Sequence, residues 1–403
     1  MSSRGHQEVD VIIVGAGMVG ALCAYLLARM QPTLDIALIE SSGYHDVQDG
    51  DFGSGVAAVN ESSRRLFESC GLWQAILAER CCEYTRMDVW DADGTGRVIF
   101  DCAEFNRPNL GYIVEHCILK GVIMRAVSET NNVTLHCPET VVDYTYCDDL
   151  SGIEVELGSG ERLRTRLLIG ADGTRSNVRR DFALATREWA YEQSSLTAVV
   201  ETEWAHQSSA RQIFMPTGPL ALLPLPEREG RYYCSLVWSQ DTQVANELMA
   251  LDDAVFCEQL ARASERSLGA ILATGKRSLV PLVQRHAIDY VTDRVALIGD
   301  AAHSIHPLAG QGANLGFGDV RVLAEEINRA FKLGSDFGDM AVLKRYQRRR
   351  KPENLSMMSS VELIKRLFST SHLPIRLLRN VGMRKFDQVP ALKRYAVKRA
   401  MGF

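Results

Sequence analysis

Short apolar runs rich in β-branched residues recur along the chain, and the residues after each run divide the sequence. The first, residues 9–14 (VDVIIV), leads straight into Gly15-Ala16-Gly17-Met18-Val19-Gly20. Residues 21–30 then carry an apolar face at helical spacing until Pro32 stops it. A second run, 36–39, ends on Glu40. The pattern predicts strand, glycine turn, helix and strand within about 30 residues, the setting of a dinucleotide fingerprint. Residues 44–55, rich in Gly and Asp, read as loop, while 62–70 and 110–127 read as helices. Residues 167–173 are a further buried strand running into a glycine turn.

From 181 to 276 the texture changes. Period-two alternation at 196–203, 211–215, 220–225 and 232–238 predicts a sheet unlike the parallel one. The buried-strand pattern returns at 295–300, followed by a glycine-rich turn and a helix over 311–332. Residues 341–403 read as helical. The expected fold class is α/β, in four parts: a nucleotide-binding domain over 1–180, a β-rich substrate domain over 181–276, a return to the first domain over 277–340, and a helical C-terminal region over 341–403.

Composition narrows the class. With 46% hydrophobic and 24% charged residues in 403, the chain is neither disordered nor a disulfide scaffold. No apolar stretch approaches the length of a membrane span, and residues 1–8 lack the apolar segment of a signal peptide. Ten cysteines without a CxxC pair argue for a reducing compartment and against structural zinc. The net charge of −5 hides an asymmetry: residues 341–403 hold sixteen Lys/Arg against three acids, a net of +13, leaving −18 for the rest.

In the first motif each glycine has its own task. Gly15 permits the tight turn, Gly17 lets the backbone approach a pyrophosphate, and Gly20 allows helix and strand to pack closely. The helix start then offers free N–H groups and a positive dipole end to the phosphates. Glu40, at a strand end, is placed to accept hydrogen bonds from ribose hydroxyls, and Ser41 and Ser42 follow it where an Arg would favour a 2′-phosphate. These features fit NAD and FAD equally.

Two later motifs separate them. One is Gly170-Ala171-Asp172-Gly173-Thr174-Arg175; the other is Gly299-Asp300-Ala301-Ala302-His303-Ser304-Ile305-His306-Pro307-Leu308-Ala309-Gly310-Gln311-Gly312-Ala313-Asn314. In them the chain resembles the group A flavin-dependent aromatic hydroxylases. It is most similar to the ubiquinone-biosynthesis branch, and there to the 2-polyprenyl-3-methyl-6-methoxy-1,4-benzoquinol hydroxylases. The resemblance runs over nearly the whole chain, including 111–115 (GYIVE), 342–348 (VLKRYQR) and 400–403 (AMGF). It implies a Rossmann-like FAD-binding domain of the GR2 type with an inserted β-sheet substrate domain.

It also implies FAD as cofactor, NAD(P)H as transient reductant and dioxygen as co-substrate, with ring hydroxylation through a C4a-hydroperoxyflavin. Asp300 would contact the ribityl chain, and Gly299, Gly310, Gly312, Ala313 and Asn314 would bring the backbone close to the flavin. Asp172, Gly173 and Arg175 would help hold the flavin phosphates and meet the nicotinamide. His303 and Pro307 are candidates for the flavin face, with no general base named. Phe214, Leu222, Pro224 and Trp238 are candidates for the ring pocket, although ordinary core packing explains them equally well. The spacing of His303 and His306 permits a metal, but no cysteine or carboxylate cluster completes a site, so none is expected.

One position departs from the family. Relatives carry Arg before the small residues that open the second helix; here Gly55 precedes Val56-Ala57-Ala58-Val59. Loose FAD binding is the consequence to expect. A flavin-poor subunit that binds prenylated intermediates, or another related flavoenzyme, are the alternatives; the WxWxIP motif of flavin halogenases is absent. Expected partners are a prenylated phenol or quinol, a ubiquinone-biosynthesis complex and an anionic membrane surface, not nucleic acid. The basic tail mixes cations with large apolar residues at 363–368 and 373–378, as an interfacial segment does. The expected location is cytoplasmic, peripheral to the inner membrane.

Overall fold

In a computed structural model of the chain, which describes residues 7–43, 52, 53, 55–149, 151–370 and 372–402, the strands collect into two large sheets and a small one. Gln7–Val14 is central in the first sheet. It pairs in parallel with Ile36–Ile39 on one side and Arg162–Gly170 on the other, and Val295–Leu297 lies parallel beyond the latter. Val11, Ile12 and Ile13 are fully buried, as expected of a parallel strand covered on both faces. Helix Met18–Met30 follows the first strand and packs against Gly312–Lys332 and His116–Ser128. Three segments far apart in sequence thereby converge on one sheet end, where the glycine motifs lie.

The second sheet is built on Thr186–Thr202, antiparallel to Tyr232–Asp241 and to Ser278–Ala287. Gly218–Pro224 and Ser209–Met215 extend it. It then recruits Arg86–Asp91, parallel to Ser209–Met215, and Arg97–Asp101 at the edge. The boundaries 181–276 therefore do not enclose this sheet: 86–101 lies before them, and Ser278–Ala287 and His303–Ser304 after them. No local pattern marks the hairpin as foreign, because its partner strand is more than a hundred residues away.

The period-two alternation splits the sheet cleanly. Leu196, Ala198, Leu220, Leu222, Leu236 and Trp238 form a core with Phe256 and Leu260 of helix Asp253–Ala263. Val199, Leu223 and Tyr233 point the other way, toward Phe52, Ala58 and Ile113.

Residues 110–127 are not one helix. Gly111–Glu115 is a strand between Val56–Val59 and Cys81–Tyr84, and the helix begins at His116. Two strand partners outweigh local helical spacing for Tyr112-Ile113-Val114. The loop expected at 44–55 falls largely outside the described residues.

The tail forms three helices, Met340–Ser369, Leu373–Gln388 and Pro390–Ala400. The first packs along Gly312–Lys332, and the other two dock on the recruited hairpin. Arg379 and Asp91, both buried, form an ion pair at 2.5 Å, and Asn380 donates to Asp91 at 3.0 Å. Asp387 accepts from the Ile99 N–H at 3.0 Å. The end of the last helix meets the start of Glu61–Ser69 through Met401 O, which accepts from the Ser62 N–H at 3.2 Å.

Candidate functional site

At the first motif two glycines are packed and one faces open space. A Cβ on Gly15 (φ +100°) would lie 2.5 Å from the Ala171 carbonyl oxygen, and one on Gly20 would lie 1.9 Å from Gly15 O. Gly17 has φ −66°, and a Cβ there would meet nothing within 4 Å. The space above Gly17 is what an approaching phosphate needs. Glu40 accepts from the Ala16 N–H and the Ser42 N–H, each at 2.9 Å, and each carboxylate oxygen keeps acceptor capacity beyond those bonds.

At the second motif Asp172 Oδ2 accepts from the N–H groups of Asn177 (2.7 Å) and Val178 (3.1 Å) at the start of helix Asn177–Asp181. Its other oxygen is buried with no hydrogen-bond partner among the described residues. Gly173 takes φ +77°, and Arg175 is exposed on the same turn. Arg179 was not anticipated. Its guanidinium bonds the carbonyls of Thr174 (2.8 Å) and Ala301 (2.7 Å), tying the second motif to the third.

The third motif opens on Gly299 (φ +59°), whose Cβ would press on Val19 of the first helix. Asp300 is reached by solvent yet hemmed in by protein, and this dehydration raises its carboxyl above the usual range against the pull of His303. His303 itself is a correction. It is 2% exposed, with Nε2 2.5 Å from Asp319 Oδ2, so it braces the turn from behind rather than facing the flavin side. Asp319 Oδ2 also accepts from the Gly299 N–H at 3.0 Å, and Oδ1 from Arg350 at 2.8 Å and Asn354 at 3.1 Å. Burial pushes the Asp319 carboxyl up, but His303 and Arg350 together draw it down to about 2. The signal for this network was in the sequence: Asp319 lies in a run of apolar residues in helix Gly312–Lys332, where an acid must be paired. His306 turns elsewhere, its ring 5.4 Å from that of Tyr191.

Beyond His306 the turn approaches open space again. Pro307 is half-buried, and Gly310 (φ +60°) packs on Ala58. Asn314 is committed to the protein: its oxygen accepts from the Asn60 N–H (3.1 Å) and Ser63 Oγ (2.7 Å), and its amide donates to Ala58 O (2.8 Å). That leaves backbone to face a cofactor here. Gly312 and Ala313 begin a 21-residue helix, and a Cβ on Gly312 would meet nothing within 4 Å. First-turn N–H groups at such a terminus favour negative charge.

Beside this turn lies a chamber of about 320 Å³. Pro307, Gly310, Ala58 and Ile113 bound it on one side, and Ala221, Leu223 and Val237 of the second sheet on the other. The ring-pocket residues expected from sequence are therefore one position out of register. Leu222 and Trp238 belong to the helix-covered core, and Pro224 shares the phase of Leu222. In a strand the neighbours of a residue point to the opposite face, so Ala221, Leu223 and Val237 take the place. Phe214 lies on the open side, packed with Leu308 and Val361.

Gly55 has a partner that sequence reasoning missed. A Cβ at Gly55 would be 2.7 Å from His116 Nδ1, so the imidazole stands where a side chain at 55 would begin. His116 is reached by solvent, yet the protein crowded around its ring lowers its pKa and keeps the imidazole neutral at pH 7.

Taken together, the open cradles at Gly17 and Gly312, the acceptors on Glu40 and Asp300 and the helix start at Ala313 fit a dinucleotide that ends in a flat, electron-accepting ring. Residues 8–360 match the model of the "FAD binding domain" family. The chain is 37% identical over 400 residues to 3-demethoxyubiquinol 3-hydroxylase of Escherichia coli K12, covering 98% of this chain and 99% of the relative. It is 36% identical to the mitochondrial ubiquinone biosynthesis monooxygenase COQ6 of Danio rerio (97% and 90% covered). It is 33% identical to ubiquinone hydroxylase UbiL of Rhodospirillum rubrum (100% and 91%). Among solved structures, PqsL of Pseudomonas aeruginosa, a probable FAD-dependent monooxygenase, shares the fold at TM-score 0.78 and 22% identity, over 94% of this chain and all of that one.

Proposed function

The chain belongs to the FAD-binding monooxygenase family, among the ubiquinone-biosynthesis hydroxylases, and from that premise we propose that it hydroxylates the ring of a prenylated quinol. The observation that carries this reading is the chamber that has the Pro307–Gly310 turn as one wall and apolar sheet residues as the other. Reduced FAD supplies the activation of dioxygen.

The protein supplies position and field. Gly17 admits the pyrophosphate, Glu40 receives ribose hydroxyls, and Asp300 receives those of the ribityl chain. The start of helix Gly312–Lys332 stabilises negative charge on the reduced ring, as preorganised donors do elsewhere. Ala58, Ile113, Leu223 and Val237 present an apolar surface to the substrate ring and keep water from the reacting atoms.

FAD-loaded protein given NAD(P)H, a prenylated methoxy-methyl-benzoquinol and ¹⁸O₂ is expected to form a product heavier by one labelled oxygen. Reductant oxidation without labelled product would refute the assignment. The tail helices, rich in cations and exposed apolar side chains, support a further reading: the protein sits on an anionic membrane surface. No helix among the described residues is long and apolar enough to cross a membrane.

A further inference from the structure

Beyond the ring chamber lies a second cavity of about 600 Å³. The two share Met87, Phe100, Gln212, Gln311, Ile364, Ala396 and Ala400 as common lining. None of these seven is charged, two are neutral amides, and Ala396 and Ala400 leave room at the join. The outer cavity is roofed by all three tail helices, through residues such as Met357, Phe368, Met383 and Phe386. Its one charged lining residue, Arg399, is already bonded to Ser356 Oγ.

The outer cavity also has an identifiable mouth. Ile364 and Tyr395 line it while remaining 41% and 65% exposed. The segment that carries that mouth is unusual: among the described residues, eleven of the twenty-three exposed large apolar side chains fall between 363 and 395. Leu363, Leu367, Leu377 and Leu378 are among them, beside Lys365, Arg366 and Arg376. An apolar passage that opens among exposed leucines and cations matches a ligand with a polar ring at one end and a long hydrocarbon at the other.

We propose that the hydrocarbon tail of the substrate runs from the ring chamber through this second cavity and leaves the protein between Ile364 and Tyr395. The inference rests on the quinol reading and assigns the tail helices a binding role within it. The basic region is then the outer wall of the substrate site as well as a surface. Ring and tail meet different walls: the second sheet and the glycine turn face the ring, while the tail helices face the hydrocarbon across the hairpin residues Val89 and Val98.

The test uses FAD-loaded full-length protein and farnesol, a branched tail with no ring, so that it does not depend on turnover. Calorimetric titration is expected to show saturable binding, weakened at least tenfold by Ser360→Trp, which narrows the outer cavity from its exposed edge. Ala396→Phe, at the join, provides a second obstruction should the first variant misfold, with circular dichroism reporting the fold. Absence of farnesol binding, or equal binding by both folded variants, would overturn the proposal even if quinols are hydroxylated. Equal affinity for dodecanol, with equal losses, would assign the cavity to lipid acyl chains instead. As a turnover readout, the ratio of kcat/KM for a long-tailed quinol to that for a one-isoprene analogue is expected to fall tenfold in Ser360→Trp. An unchanged ratio would count against the tunnel.

Discussion

His303 and Asp319 meet at 2.5 Å in the interior, joining the glycine-rich turn to the helix that follows it. Arg350 of the long tail helix holds the other oxygen of the same carboxylate, so one acid ties together turn, helix and tail. The arrangement makes stability depend on acid. With Asp319 ionising at about 2 when folded and near 3.9 when unfolded, the stabilisation is full above about pH 5 and is lost as pH falls toward 2. Asp319→Asn is expected to cost about 3 kcal/mol at pH 7 by urea denaturation, since Arg350 loses a buried counter-charge. It should also flatten the acid limb of the stability profile. An unchanged acid limb would show that another group governs it.

The glycines of the first motif are separable by mutation. Gly17→Ala places a methyl in open space at an ordinary φ, so apoprotein stability should change by less than about 0.5 kcal/mol. FAD affinity should nonetheless fall at least about tenfold, about 1.4 kcal/mol. Gly20→Ala should do the reverse: the methyl strikes Gly15 O, costing about 2 kcal/mol in the apoprotein. Paired thermal melts and FAD titrations read both.

Gly55 and His116 set up a third expectation. The protein should release FAD readily, with a micromolar rather than nanomolar Kd on titrating apoprotein. Gly55→Arg alone must displace the His116 ring, whereas Gly55→Arg with His116→Asn has room for the larger side chain. The double variant is expected to bind FAD about tenfold more tightly than the natural chain. Nanomolar binding by the natural chain would end this line.

The Asp91–Arg379 pair fastens the second tail helix to the sheet. Arg379→Ala leaves Asp91 buried without its cation, a loss of about 3 to 5 kcal/mol. Limited trypsin digestion should then cut first at Arg384 or Lys385, which are exposed but lie within the docked helix of the intact protein. Unaltered cleavage kinetics would mean that the helix is held by other contacts.

Membrane docking is tested with sedimenting vesicles. Binding to anionic vesicles should be strong at low salt and weaken above about 0.5 M, where screening shortens to a few ångströms. Leu377→Asp with Leu378→Asp should lower binding at least fivefold, both residues being well exposed. Salt-independent binding would favour purely apolar adsorption.

Much of this architecture could be read from sequence because it is local. Gly15, Gly17, Gly20 and Glu40 declare themselves within one strand–turn–helix–strand unit, and 299–314 does so within one turn. The parts that escaped depend on distance or phase. Residues 86–101 join a sheet whose other strands lie a hundred residues on, so no window contains both partners. Leu222 and Leu223 look equally apolar, and only the pairing register with Tyr232–Asp241 decides which one meets the chamber. His303 was a candidate for the flavin face because its partner, Asp319, is sixteen residues away on a helix.

The hairpin 86–101 carries one more consequence, for how the molecule comes into being. It emerges early in synthesis, yet its sheet neighbour Ser209–Met215 and its covering helix Leu373–Gln388 emerge much later. The wall between ring and solvent is thus assembled from the first quarter, the middle and the last tenth of the chain. Ala396, Val397, Ala400 and Met401 line the ring chamber, so it closes only once the last helix has docked.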